Sequence, residues 1–301
     1  MIEARNLTKR FGDTLALKQM NCQIGRSSIY GLVGSNGAGK STFMRLVAGI
    51  YRPDEGEVLV TGENVYENVE LKSRLILVPD TPYFFDHATL QDMAEYYRRF
   101  YRSWDQSLFN RLRDVFPLSL KKQLKTLSKG NQRQAALMLG LSVRPELILL
   151  DEAFDGLDPV MRQVLRQLLA EEVEAHGQTV LISSHNLREL EDFCDHVGLL
   201  HEGGIVFERE LDLLKFDLSK IQVAFDEVPS EEQLTQAGLD ILSYSTRGRL
   251  VNLVIRGERE AIRSTFETLD PLFLDILPLT LEEVFIEELE QVGYDVRTIL
   301  A

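Results

Sequence analysis

The chain has 301 residues, 44% of them hydrophobic, and a formal net charge of −14. This length allows one large domain and a smaller one, each with its own buried core. The acidic balance argues against nucleic acid as a partner, because a phosphate backbone is bound by an excess of Lys and Arg on one face. Two distant cysteines, Cys22 and Cys194, indicate neither a disulfide framework nor a zinc site and favour a reducing compartment.

The amino terminus lacks the basic start and apolar stretch of a signal peptide. No apolar run reaches the roughly 18 residues that a membrane-spanning helix needs. We therefore expect a cytoplasmic protein whose chain does not itself cross a membrane.

Short apolar runs alternate with helical patterns through the first two thirds of the chain. These runs predict strands at residues 29–33, 58–60, 75–78, 147–150, 180–183 and 197–200. Continuous apolar runs such as 147–150 are typical of a mostly parallel sheet covered by helices on both faces. The pattern therefore predicts an α/β fold, and we assign residues 1–216 to this first domain.

Between Pro79 and Arg144 the strand signals stop and apolar residues recur at helical spacing. We predict a helical subdomain over about residues 80–144. Thr89 is a candidate N-cap for its first helix, because Asp92 follows at the spacing of a capping box.

After about residue 216 the pattern changes. It predicts a strand at 221–225, a helix at 231–237, two strands around Arg247 and Gly248, a helix at 259–269 and a strand at 272–276. This βαββαβ order predicts a small ferredoxin-like α+β domain over residues 217–301. A last helix is predicted at 281–291.

A glycine-rich stretch lies between the predicted strand 29–33 and a helical pattern at 42–48, and it matches the phosphate-loop pattern G-x-x-x-x-G-K-[ST] in full. In such a loop, backbone N–H groups converge on phosphate oxygens, Lys40 reaches the terminal phosphates and Ser41 is a ligand for Mg²⁺. The predicted nucleotide-binding residues are Gly34, Ser35, Asn36, Gly37, Ala38, Gly39, Lys40, Ser41 and Thr42.

Two adjacent carboxylates, Asp151 and Glu152, follow the predicted strand 147–150 directly. Alone, such a pair is common in solvated turns at strand ends. Together with a phosphate loop it indicates hydrolysis, with Asp151 placed to hold Mg²⁺ and Glu152 to polarise the attacking water.

Three further motifs stand in order with these two: Leu127-Ser128-Lys129-Gly130-Asn131-Gln132, Asp155-Gly156-Leu157-Asp158 and Ser183-Ser184-His185. Across residues 11–185 the whole set resembles the ATPase subunits of ABC transporters. The resemblance implies a P-loop ATPase fold of the ABC type, with ATP and Mg²⁺ as cofactors. It also implies that Glu152 is the general base, with Lys40 and His185 acting on the terminal phosphate.

The same resemblance implies that Ser128, Gly130 and Asn131 face the nucleotide of a second ATPase subunit, identical or different, so that a complete site requires a head-to-tail dimer. It further implies separate transmembrane permease subunits as partners and a location on the inner face of the cell membrane. The Leu-Ser-Lys-Gly form of the signature is similar to that of bacterial export-type ATPases.

Two positions remain open between a functional and a structural interpretation. Phe11 would stack on adenine according to the resemblance, or it belongs to the core. Asp80 stands where the family usually has a glutamine, and it either contacts Mg²⁺ or is a surface turn residue beside Pro79.

Eight aromatic residues fall within residues 83–104: Tyr83, Phe84, Phe85, Tyr96, Tyr97, Phe100, Tyr101 and Trp104. Either they form the core of the helical subdomain, or at least two are exposed together and receive a helix of the membrane subunit.

Two other functions compete with that of a transporter motor. A soluble ABC ATPase of DNA repair would place long coiled-coil heptads between phosphate loop and signature, and ribosome-acting relatives usually carry two cassettes per chain; this chain has neither. An ATP-binding regulatory partner with weak hydrolysis is suggested by Asp80 and the altered signature, whereas Glu152 and His185 argue against it.

Overall fold

The computed structural model describes residues 1–191, 193–211, 218–280 and 282–283. The chain divides into two compact units, Met1–Glu208 and Arg209–Ala301. The domain boundary expected after residue 216 lies within residues 212–217, which are outside the described residues. The predicted last helix at 281–291 is also outside them, apart from Glu282 and Glu283.

The strands of the first unit, in chain order, are β1 (Ile2–Phe11), β2 (Thr14–Ile24), β3 (Ile29–Val33), β4 (Glu55–Val60), β5 (Glu63–Asn64), β6 (Leu75–Val78), β7 (Leu147–Leu150), β8 (Thr179–Ser184), β9 (His196–His201) and β10 (Gly204–Glu210), the last of which runs across the division. Its α-helices are α1 (Lys40–Val47), α2 (Val69–Lys72), α3 (Leu90–Phe100), α4 (Gln106–Val115), α5 (Lys129–Ser142) and α6 (Pro159–His176).

A six-stranded sheet of order β10-β9-β3-β8-β7-β6 is the centre of this unit. The pairs β9–β3, β3–β8, β8–β7 and β7–β6 are all parallel. Strands β3, β7 and β8 are buried at every residue, as expected where helices cover both faces of a sheet. The predicted α/β class and five of the six predicted strands are confirmed in this sheet.

A second sheet of order β2-β1-β4-β5 contains the remaining predicted strand, at 58–60. Its pairs are antiparallel, and in β4 the buried Val58 and Val60 alternate with less buried neighbours. Strands β1, β2 and β5 were not predicted. Residues of both sheets share one buried cluster with Phe43 and Met44 of α1, so this helix is packed between them.

Helices α3, α4 and α5 lie in the region predicted to be helical. The hydroxyl of Thr89 accepts a hydrogen bond from the backbone N–H of Asp92, and the Asp92 carboxylate accepts one from the backbone N–H of Thr89. The predicted capping box is therefore confirmed. It satisfies backbone donors that the first turn of α3 would otherwise leave without partners.

The second unit follows the order β11 (Leu218–Ala224), α7 (Glu231–Gln236), β12 (Asp240–Arg247), β13 (Leu250–Arg256), α8 (Arg259–Glu267) and β14 (Phe273–Pro278). Its strands form an antiparallel sheet of order β12-β13-β11-β14. The helices contribute Leu234, Ile262 and Phe266 to a core shared with β11 and β13. The order of elements along the chain is the predicted βαββαβ.

Among the described residues, no helix is both long enough and apolar enough to span a membrane. Cys22 and Cys194 are both free and buried.

Candidate functional site

The predicted motifs follow four strands that are neighbours in the central sheet. The phosphate loop follows β3, His185 follows β8, Asp151 and Glu152 follow β7, and Asp80 comes shortly after β6. Because these strands are parallel, their carboxyl ends meet at one edge of the sheet, where α/β proteins bind their ligands. The fold therefore brings these motifs together.

The phosphate loop turns from β3 into α1 through a left-handed residue. Gly39 is the N-cap of α1 with a φ of 113°, and a Cβ atom there would lie 2.6 Å from the carbonyl oxygen of Ala16. Only glycine fits both restrictions. The amino terminus of α1 consequently opens toward the loop, which places its positive dipole end where a phosphate would bind.

Lys40 is folded back over the phosphate loop, with its side chain only 6% exposed. Its ammonium group donates hydrogen bonds to the carbonyl oxygens of Gly34 at 2.6 Å and Ser35 at 3.2 Å. The Nζ atom also lies 3.2 Å from Oε1 of Glu152. The charge is thus compensated within the protein and is positioned above the loop.

Asp151 is 2% exposed, and its Oδ1 atom accepts a hydrogen bond of 2.7 Å from the hydroxyl of Ser183. Burial raises the pKa of Asp151, the nearby charge of Asp80 raises it further, and hydrogen bonds from Ser183 and Ser41 oppose this shift. A buried carboxylate beside the hydroxyl of Ser41 is a set of hard oxygen donors of the kind that Mg²⁺ prefers.

Glu152 has a φ of 49°, in the left-handed region that non-glycine residues seldom adopt. Its backbone N–H donates to the hydroxyl of Ser183 at 2.9 Å, which holds this conformation. Oε2 of its side chain is 2.9 Å from Nδ1 of His185. This hydrogen bond is the main reason that the pKa of His185 is raised above its ordinary value. Strained backbone of this kind is concentrated at functional sites.

Ser183 is the residue whose role sequence reasoning missed. Its fully buried hydroxyl donates to Asp151 and accepts from the N–H of Glu152, so it fixes both carboxylates relative to β8. The available signal was a hydroxyl at the end of an otherwise apolar strand, where a buried polar group needs a partner.

Asp80 stands at the margin of the site, with its side chain 46% exposed. Its Oδ1 atom is 4.0 Å from Nη2 of Arg45, and its charge acts on Asp151. Phe11 is 43% exposed at the end of β1 and makes an edge contact with Tyr51, at a centroid distance of 5.3 Å. The core interpretation of Phe11 is therefore wrong. The ammonium group of Lys9 lies over the ring, 5.5 Å from its centroid.

The signature segment, residues 128–131, is not part of the hydrogen-bonded cluster of Lys40, Glu152 and His185. It forms the beginning of α5, where the exposed Ser128 is the N-cap and accepts a hydrogen bond of 3.3 Å from the backbone N–H of Asn131. The first N–H groups of α5 have no carbonyl partner within the helix, as at the beginning of any α-helix.

Comparison with known proteins agrees with this geometry. The family model described as ABC transporter matches residues 17–155. The ABC transporter ATP-binding protein YtrB of Bacillus subtilis (strain 168) is 34% identical over 286 residues, covering 95% of this chain and 97% of that protein. The bacitracin transport ATP-binding protein BcrA of Enterococcus faecalis is 30% identical, covering 78% of this chain and 80% of its own length.

A solved structure of the ATP-binding subunit of an ABC transporter superimposes with a TM-score of 0.66 at 25% identity, covering 71% of this chain and 92% of that one. The relatives and the site agree on an ATP-binding cassette. The chain belongs to the ABC transporter family and is one of its ATP-binding, ATP-hydrolysing subunits.

Proposed function

We propose that this ATPase drives transport through separate transmembrane permease subunits, by closing a head-to-tail dimer around two ATP molecules and reopening it after hydrolysis. One observation carries the proposal. Lys40, Glu152 and His185 form one hydrogen-bonded cluster beside the phosphate loop, whereas the signature segment stands outside that cluster. A single chain thus holds one half of a site and offers one half to another chain.

The chemistry follows from the positions of these side chains. The ammonium group of Lys40 exchanges its carbonyl partners for the β- and γ-phosphate oxygens, which are stronger, charged acceptors. Glu152 takes a proton from the attacking water while the bond between the γ-phosphorus and the bridging oxygen breaks, leaving ADP and phosphate. His185 contacts the terminal phosphate and stabilises its charge.

The oxygen atoms of Ser41 and Asp151 fit Mg²⁺, and we assign the metal to them. When bound, the ion neutralises charge on the phosphates. Asp80 would reach it directly or through a water molecule, in the place where the family usually has an uncharged amide. Phe11 is 43% exposed and would stack on the adenine ring.

Ser128, Gly130 and Asn131 would complete the site of the second ATPase subunit, either an identical chain or a related one. The N–H groups at the start of α5, together with the hydroxyl of Ser128, are suited to a phosphate because they carry the positive end of the helix dipole. Closing the dimer then depends on ATP. The binding energy of ATP can therefore shift the population of the attached permease from one conformation to another.

Docking of the permease is proposed at an aromatic patch on α3 and the loop before it. The patch consists of Tyr83, Phe85, Tyr96 and Phe100, which are 75%, 43%, 39% and 64% exposed. Successive ring centroids are 6.1, 5.1 and 4.5 Å apart, so the rings form one continuous surface. The alternative that all eight aromatic side chains of residues 83–104 are core is therefore wrong, although Phe84 is buried.

An open groove of about 800 Å³ begins at Phe100 and is lined by Val69 of α2 together with charged residues, among them Arg74, Arg102 and Glu146. Val69 is 80% exposed, which adds apolar area to the same face. Exposed apolar patches of this kind mark interaction sites. A permease helix seated here would hold the ATPase on the inner face of the cell membrane.

The experiment is steady-state phosphate release by the purified chain, alone and co-expressed with candidate membrane partners. We expect Tyr83→Ser with Phe100→Ser to lose co-purification with the partner while partner-free turnover is retained. Val160→Ser, which changes an exposed apolar residue on α6, is the control and should retain both. Co-purification of the double variant at the wild-type level would overturn the docking assignment, and no turnover with any partner would favour the regulatory alternative.

A further inference from the structure

Arg133 connects three segments of the site that are far apart in sequence. It is half-buried in the second turn of α5, directly after the signature segment. One terminal nitrogen of its guanidinium group donates to the carbonyl oxygen of Asp80 at 2.6 Å, and the other donates to the carbonyl oxygen of Asp155. The first acceptor lies in the segment after β6 and the second in the segment after β7.

The signature segment is also packed tightly against the segment after β7. A Cβ atom on Gly130 would lie 2.9 Å from the carbonyl oxygen of Gly156, closer than any side chain tolerates. The Cα atom of Gly130 therefore approaches Gly156 directly. One helical turn after Gly130, Arg133 donates to the carbonyl oxygen of Asp155, the residue before Gly156. These two contacts leave the start of α5 little freedom to move independently of Asp155.

The segment after β7 belongs to the catalytic cluster as well. A carboxylate oxygen of Glu152, a carboxylate oxygen of Asp155 and a ring nitrogen of His185 all lie within 4.8 Å of one another. Movement of the side chains around a bound terminal phosphate would therefore move Asp155 first. Arg133 would then transmit this movement to the signature segment.

We propose that Arg133 is a positioning residue that couples the chain's own phosphate site to the signature segment that it presents to a second chain. This inference rests on the proposed shared-site dimer. The guanidinium group suits the role because its planar, fixed fork donates to two carbonyl oxygens at once. A lysine carries the same charge on a single nitrogen atom, so it cannot place donors at both positions that the two terminal nitrogens of the guanidinium group occupy.

The test uses the full chain with Arg133→Lys, Arg133→Gln and the control Arg249→Gln, whose arginine pairs with Asp226 in the second unit, where both side chains are exposed. Binding of ATP to dilute, monomeric protein reports the chain's own half-site. The kcat and KM of hydrolysis, and ATP-dependent dimerisation in a Glu152→Gln background, report the shared site.

We expect both Arg133 variants to bind ATP with wild-type affinity, whereas kcat falls roughly ten- to a hundredfold, as misplacement of a catalytic segment by about 1 Å can cause. ATP-dependent dimerisation should weaken in parallel, and the control should behave as wild type. If Arg133→Gln does not fold, Arg133→Lys decides alone, because it retains the charge and one hydrogen bond.

Wild-type kcat in Arg133→Lys would overturn the role of the two-pronged contact, because charge alone would then suffice. An equal loss of thermal stability and ATP affinity, without a separate loss of kcat, would assign Arg133 to folding only. If the Glu152→Gln variant with an intact Arg133 fails to dimerise with ATP, the proposed function fails, and the role of Arg133 fails with it. Normal dimerisation in the Arg133 variants overturns the role of Arg133 alone.

Discussion

Oε2 of Glu152 lies 2.9 Å from Nδ1 of His185, and the same oxygen accepts a hydrogen bond of 3.3 Å from the backbone N–H of His185. The other carboxylate oxygen lies 3.2 Å from the ammonium group of Lys40. The side chain proposed as the general base is therefore held between two groups that we propose act on phosphate, and each contact can be tested separately.

The contact between Glu152 and His185 should make part of the stability depend on pH. Because this carboxylate raises the pKa of His185, the protonated ring contributes to the stability of the folded state. This contribution is complete below the ordinary histidine pKa of about 6.5. That contribution is lost as the pH rises through the raised pKa. NMR titration should show a higher midpoint for His185 in the wild type than in Glu152→Gln, and identical midpoints would remove the interaction from the account.

Glu152→Gln should bind ATP without splitting it. The amide keeps the size of the carboxylate but cannot accept the proton of the attacking water, so hydrolysis should fall by about 10²- to 10⁴-fold. Gel filtration with ATP should then give about twice the mass seen without nucleotide.

Adding Ser128→Arg to this variant should restore the monomer, because a large side chain fills the phosphate cradle presented by α5. Wild-type hydrolysis by Glu152→Gln, together with an elution volume that ATP does not change, would falsify both the base assignment and the shared site.

Lys40→Ala should weaken ATP binding by one to two powers of ten. A hydrogen bond to a charged group contributes roughly 1.5–3 kcal/mol, and each 1.4 kcal/mol corresponds to a factor of ten. Titration with a fluorescent ATP analogue measures the change. Lys18→Ala is the control, because Lys18 is an exposed lysine that pairs loosely with Glu202 at 3.7 Å. Unchanged affinity in Lys40→Ala would contradict the phosphate-loop assignment.

Asp80→Gln should shift the Mg²⁺ dependence of turnover. Replacing the carboxylate with an amide removes a negative charge that acts on Asp151, so more Mg²⁺ should be needed for half-maximal activity. Asp86→Asn is a suitable control, because that aspartate is exposed and pairs with Lys125. Superimposable Mg²⁺ curves for wild type and Asp80→Gln would leave Asp80 as a turn residue only.

The parts of the fold that could be predicted from sequence are those whose signal is local. Strands such as β7 are continuous apolar runs, and Thr89 with Asp92 forms a cap within one helical turn. Strand β1 was missed because its alternating pattern is interrupted: Asn6 has a φ of 46° and the pairing with β2 shifts register between Ala4 and Leu7.

The candidate site, like the fold, was predictable from sequence only where its signal is local. The phosphate loop and the two carboxylates were predictable because their residues are neighbours in the chain. The bridging role of Ser183 depends on partners 31 and 32 positions away, and that of Arg133 on carbonyl groups 22 and 53 positions away. The left-handed backbone of Glu152 is likewise set by a distant hydroxyl. Contacts of this length become visible only when the sheet has formed.

Strand β7 is fully buried at all of its residues, Leu147–Leu150, and is paired with β6 on one side and β8 on the other. We expect its amide protons to exchange slowly with deuterium, because a strand that is buried and paired on both sides is exposed only by larger openings. Asp151 and Glu152 are attached directly to this buried strand, and Asp155 follows Glu152 by only three positions. The carboxylates proposed for catalysis are therefore anchored to a fully buried strand, only three residues before Asp155, whose backbone accepts the hydrogen bond from Arg133.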